Sequence, residues 1–279
     1  MIHTGPVARA SGPDFFGRAA ISPHCPTASG EPGSGNSHHD RESSLFENAV
    51  ILDSKKHTGL GYRPVIDFSY ARNVLSAPLA GTEVLLASRE FPIVFPTTGR
   101  GVPVALMGYA PDSNLWVASD GSWAGRYVPA HLRRYPFVLG EQSGSDRFVL
   151  MVEPTAMSGD GTGEPLFEND KVPEGGIVDR ARNFLTTFQR ELTETEAFFE
   201  PLRKSDVLVS RVFTVRKGKE QIGQVRDLQI VDTDKLAALD DATLAGWVRS
   251  GLMAMVIAHL HSLQPDLFAN APAAPRQQA

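Results

Sequence analysis

Leu244-Ala245-Gly246-Trp247-Val248-Arg249-Ser250-Gly251-Leu252-Met253-Ala254-Met255-Val256-Ile257-Ala258-His259-Leu260-His261-Ser262-Leu263 is the strongest helical signal in the chain. Leu244, Trp247, Val248, Leu252, Met255, Val256, His259 and Leu263 recur at the helical period. Asp240 or Asp241 supplies an N-cap oxygen for the first free amides. Met253, Ile257 and Leu260 make the second half apolar nearly all round, which predicts one helix buried centrally.

Working back from that helix, Val207–Val215 and Ile222–Val231 read as a β-hairpin turning at Lys217-Gly218-Lys219. Before it, Ile177, Ala181, Phe184, Leu185, Phe188 and Leu192 mark one apolar face of a helix that opens after Gly175-Gly176. Thr193 and Glu196 have the spacing of a capping box, predicting a second short helix with Phe198 and Phe199. Residues 153–176 read as a polar loop region.

The first half is different in kind. Ala49–Asp53, Glu83–Ala87, Ile93–Phe95, Val102–Tyr109, Leu115–Ala118 and Phe148–Val152 read as short strands, punctuated by proline and glycine. Ser119-Asp120-Gly121-Ser122 predicts a tight turn. Pro92, Pro96 and Pro103 predict strand ends or edges, since proline removes a ladder donor. Tyr70-Ala71-Arg72-Asn73 predicts a short helical turn. A run of strands followed by helices is the order of an α+β fold. The expectation is a single α+β domain over residues 45–268, with a β-rich N-terminal half and a C-terminal β-hairpin with buried helices.

The ends lack apolar periodicity. Residues 1–44 are dominated by Gly, Pro and Ser and cannot bury enough surface to offset their ordering entropy, so a disordered tail, even a mis-assigned start, is expected. His3, His24, His38, His39 and the single cysteine, Cys25, lie in it. The chain is expected to fray after Leu263, with residues 269–279 as a second tail.

The chain has 279 residues, 42% of them hydrophobic and 21% charged, with a net charge of −5. A general nucleic-acid binder needs a surplus of Lys and Arg to displace counterions, so nucleic acid is not an expected partner. One cysteine cannot form an intrachain disulfide or a multi-cysteine zinc site. No apolar run reaches the ~18 residues of a membrane span. No basic segment followed by an apolar one marks a secretory signal, and a cytoplasmic location is expected.

The residues with most chemical potential cluster in Tyr127-Val128-Pro129-Ala130-His131-Leu132-Arg133-Arg134-Tyr135-Pro136-Phe137. Arg133 and Arg134, walled by Trp123, Tyr127 and Tyr135, have the composition of an anion or carboxylate pocket, because a guanidinium is a planar fork of donors. The same residues also suit a core, where an arginine satisfies carbonyls and aromatics pack; large aromatics are mostly core residues, which favours that second reading. His259 lies on the apolar helix face and is expected to be a hydrogen-bonded core histidine. His261, two residues on, points about 200° away, so one metal cannot easily take both. His57 could join His259 only through folding. Gly159-Asp160-Gly161-Thr162-Gly163-Glu164 could cradle phosphate or calcium, but a phosphate loop opens a helix directly and Pro165-Leu166-Phe167 follows here. Neither a Gly-x-Ser-x-Gly elbow nor a His-Glu-x-x-His motif occurs, so no catalytic residue, no metal site and no cofactor is expected.

Asn114-Leu115-Trp116-Val117, Asp120-Gly121-Ser122-Trp123, Tyr127-Val128-Pro129-Ala130 and Arg133-Arg134-Tyr135-Pro136-Phe137 together resemble the signature of the bacterial SapC family. Supporting pieces are His57, Glu90-Phe91-Pro92-Ile93-Val94-Phe95, Leu166-Phe167, Asp232 with Lys235-Leu236, and His259-Leu260-His261-Ser262-Leu263. The resemblance spans roughly residues 48–268. It implies a link to bacterial surface-layer genes and a cytoplasmic protein encoded beside oxygenases and flavin-dependent halogenase-like proteins. It supplies no agreed catalytic residues.

The resulting expectation is a non-catalytic accessory or binding protein with an oxygenase- or halogenase-type partner, or one linked to surface-layer or uptake functions. One alternative is an enzyme acting on an anionic small molecule or peptide near Trp123, Tyr127, Arg133, Arg134 and Tyr135, with His57 or His259 as acid–base. The other is a structural surface-layer component.

Overall fold

The computed structural model describes residues 45–111, 113–141, 148–217, 219–263, 267–268 and 271–272. The expected tail at 1–44 and residues 273–279 lie outside them. The strands are β1 (Val50–Ile51), β2 (Gly61–Tyr62), β3 (Ser76–Pro78), β4 (Ile93–Pro96), β5 (Val104–Leu106), β6 (Phe137–Glu141), β7 (Phe148–Val152), β8 (Glu164–Pro165), β9 (Leu208–Lys217) and β10 (Glu220–Val231). The helices are α1 (Gly81–Ala87), α2 (Ala130–Arg133), α3 (Ile177–Phe198), α4 (Glu200–Lys204), α5 (Thr233–Ala237), α6 (Asp241–Ser250) and α7 (Leu252–Ser262).

Among the described residues the strands form three antiparallel sheets: β3-β5-β4-β10-β9, β1-β7-β6 and β2-β8. The fold is α+β, as the order of elements predicts. The largest sheet and α7 hold the main core, where Phe91, Trp116, Phe199, Leu202 and His259 are fully buried. The start of α3 closes a second core against β6 and β7 through Ile177, Val178, Ala181 and Leu185. Further along, Phe188 and Leu192 pack on Ala80, Val102 and Ala130. No single helix among the described residues is long and apolar enough to cross a membrane.

Several expectations hold closely. β7 covers Phe148–Val152, β4 begins at Ile93 and ends on Pro96, and the β9–β10 hairpin stands where alternation placed it. A 3-10 turn occupies Ser69–Ala71. Gly121 takes a φ of +85° in the predicted turn, with Val117 bridged to Trp123.

Others are corrected. Glu83–Ala87 is not a strand but most of α1. Glu83 reaches back to the Ala80 amide at 3.0 Å, satisfying a donor that the helix start leaves free, while Val84 and Ala87 face inward. Leu115–Ala118 forms no strand beyond that one bridge; the buried Asn114 amide does the work of a ladder, donating to Ala71 O and Val74 O and accepting from Trp116 N. Thr193 and Glu196 do not cap a second helix. α3 runs through them to Phe198, and both hold Arg100, whose guanidinium lies 2.7 Å from Thr193 Oγ1 and 3.5 Å from Glu196 Oε2.

The long terminal helix is broken. Gly251 adopts a φ of +85°, and α6 and α7 meet at 88°. Asp240 caps α6 by accepting from Thr243 N at 2.9 Å. The bend buries Trp247, Leu252, Val256 and His259 but leaves Val248 and Ile257 exposed, so the apolar belt is not wholly internal. Fraying after Leu263 is not seen at Leu267, Phe268 and Ala271, which are buried in the main core.

Candidate functional site

α2 is a single helical turn entered through Pro129, and its first amide needs a partner. Glu83 supplies it from α1: Oε1 accepts from Ala130 N at 2.7 Å and from the Tyr127 hydroxyl at 2.5 Å, while Oε2 accepts from Ala80 N. One buried carboxylate thus clasps the starts of two helices and the tyrosine between them. Burial, reinforced by the Glu83 hydrogen bond, pushes the Tyr127 phenol well above its ordinary pKa. Trp123 Nε1 donates to Tyr127 O at 3.0 Å.

Arg133 extends over the same clasp. Its Nε donates to Val128 O at 3.0 Å, an outer nitrogen lies 3.9 Å from Glu83 Oε1, and the guanidinium stands 5.4 Å from the Phe184 ring centre. Its side chain is 48% exposed. Arg134 turns to another set of partners: Nε donates to His131 O at 3.1 Å, and the guanidinium stands 5.3 Å from the Phe46 ring centre. His131 beside it is buried, and desolvation, then the Arg134 charge, hold its pKa well below the ordinary value. Tyr135 stacks on Tyr70 at 3.9 Å with 8° between the planes, and the Tyr70 hydroxyl donates to Leu132 O. The Tyr135–Pro136 peptide is cis. The adjacent arginines therefore turn to different partners. Trp123, Tyr127 and Arg133 share one setting, and Arg134 and Tyr135 share another.

His259 and His57 bond to backbone through their rings. His259 Nε2 accepts from Val231 N at 3.0 Å, so its proton sits on Nδ1, which donates to Ile93 O at 2.7 Å. Burial lowers its pKa to about 4. His57 is buried at a turn, with Nδ1 at 2.9 Å from Asp53 N and 3.0 Å from Asp53 O. The two histidines are tied to different backbone segments and do not act as a pair. His261 is exposed where His259 is buried, in line with their two-residue spacing.

In the glycine-rich loop, Asp160 accepts from Thr162 N at 3.0 Å and from the hydroxyls of Ser158 and Thr162, with Arg63 beside it. Glu164 pairs with Arg180. Its carboxylates are spent within the loop and its neighbours, and no group of three metal-ligating side chains occurs among the described residues. A pocket of 240 Å³ opens elsewhere, between the 96–101 loop and Arg203, Asp206, Leu208 and Gln229. Sequence reasoning missed Glu83, the hub of the clasp; its position three residues after Ala80 was the available signal.

The family model for SapC matches residues 52–265, most of the chain. The chain belongs to the SapC family. The SapC match spans the clasp, the aromatic stack and His259 alike. No curated protein and no solved structure gave a match.

Proposed function

We propose that this SapC-family chain is a non-catalytic accessory protein that works by binding, beside an oxygenase- or halogenase-type partner in the bacterial cytoplasm. One observation carries this reading: Trp123, Tyr127, His57 and His259, the groups best suited to chemistry, each have a polar ring or hydroxyl atom bonded to the fold's own backbone or to Glu83. A general acid or base needs a proton path to substrate, and the Tyr127 hydroxyl, His57 Nδ1 and both ring nitrogens of His259 are engaged within the fold. The test is native co-purification through a C-terminal tag from soluble and envelope fractions of the source bacterium. A stoichiometric oxygenase or halogenase in the soluble fraction is expected. Recovery of the intact protein on washed cell surfaces would favour a surface-layer role and overturn the proposal.

A second reading, an enzyme or receptor for a small anion, draws on the half-exposed Arg133 guanidinium above Phe184. It expects Arg133→Ala to abolish binding of a co-purified anion with the melting temperature unchanged.

A further inference from the structure

The largest sheet has two edges of different character. β3 is three residues long and ends in Pro78, the kind of edge that discourages further pairing. β9 is ten residues long and contains neither proline nor glycine. Among the described residues β10 is its only paired neighbour. A strand in that position presents a row of backbone donors and acceptors along its outer side. Near the hairpin end β9 alternates, with Phe213 half-buried and Val215 buried on one face and Val212, Thr214 and Arg216 exposed on the other, while Ser210, Arg211 and Val212 are exposed in succession. Val212, at its middle, is 57% exposed.

Charge decides what such an edge can take. β9 holds no acidic residue, and Arg211 and Arg216 are both exposed, one on each face of the strand by their odd spacing. A second copy of β9 would bring the same two arginines to the edge and no carboxylate to offset them. An extended acidic segment would meet a guanidinium on either face.

We infer that β9 is a docking edge that accepts an extended, acidic segment of a partner protein as a sixth strand of the sheet. Backbone hydrogen bonds would supply affinity, and Arg211 and Arg216 would select for acid. The inference rests on the accessory-protein proposal only for the partner being a protein.

The experiment uses the full chain and two fluorescent ten-residue probes, one alternating Glu with Val and Thr, the other with Lys at each Glu position. The acidic probe is expected to bind at least about tenfold more tightly at low salt, to weaken as salt rises, and to slow amide exchange along β9. The double variant Arg211→Glu, Arg216→Glu alters exposed side chains and should reverse the preference. Equal binding of both probes, no binding, or protection confined to other elements would overturn the inference. So would concentration-dependent dimerisation that protects β9, which would make a second copy the occupant. Co-purification with the same double variant separates the two proposals. A partner retained equally by wild type and variant leaves the accessory reading standing and removes β9. A partner absent from both removes the accessory reading, and the probes still decide β9.

Discussion

His259 occupies the place of a missing ladder rung opposite Val231. β4 and β10 pair at Phe95–Gln229 and Pro96–Leu228, a register that sets Ile93 opposite Val231. There the imidazole stands between the strands, accepting from Val231 N and donating to Ile93 O, while Ser262 Oγ accepts from Ile93 N at 2.9 Å. One face of α7 thus satisfies three backbone groups of the central sheet.

His259→Ala should therefore destabilise the protein by about 3–5 kcal/mol, combining a buried cavity with two orphaned backbone groups. Urea denaturation followed by tryptophan fluorescence measures it. A loss below about 1 kcal/mol would show that the rung is dispensable.

The same histidine sets an acid limit. Its pKa is about 4 in the fold, against about 6.5 in an unfolded chain. Between those values the unfolded state binds the extra proton, so stability falls as pH drops from about 6.5 and levels off below about 4. The integrated loss is about 3 kcal/mol. His131, also held low, adds in the same direction. Melting temperatures from pH 7.5 to 4 check this, and His259→Ala should flatten part of the slope.

The Glu83 clasp predicts a graded series. Glu83→Gln keeps one acceptor but turns an amide donor toward another donor, costing about 2–3 kcal/mol, and Tyr127→Phe should cost about 1–2 kcal/mol. Arg133→Ala, half exposed and at the 3.9 Å fringe of the clasp, should cost less than about 1 kcal/mol. A double-mutant cycle between Glu83 and Tyr127 should show coupling, because they touch.

Gly251→Ala isolates a backbone effect. A Cβ there meets nothing within 4 Å, so the cost is that of holding a φ of +85° with a side chain, about 1 kcal/mol. Thermal unfolding of the variant, with far-ultraviolet circular dichroism unchanged, tests it.

Where a segment's own pattern was regular, the sequence was readable. The inward face of α3, the apolar run of β7 and the two strands of the β9–β10 hairpin depend on side chains a few residues apart, as does the Asp240 cap. Short apolar runs were not readable. Val84-Leu85-Leu86-Ala87 suits a strand or a helix, and Glu83, by closing on Ala80 and receiving Tyr127 and Ala130 from 44 and 47 residues away, stabilises the helix. Thr193 and Glu196 have capping spacing, yet Arg100 claims both.

The candidate site divides along the same line. Residue types and their order were enough to place the chain in its family and to mark Trp123, Tyr127, Arg133, Arg134, Tyr135, His57 and His259 as unusual. They could not show that the two arginines part company, that His259 is a rung between strands, or that one terminal helix is two. Periodicity reports on neighbours within a turn or a strand. Hydrogen-bond partners tens to more than a hundred residues apart, such as Glu83 with Tyr127 and His259 with Ile93, are chosen only when the core closes, and they hold these polar groups to structure.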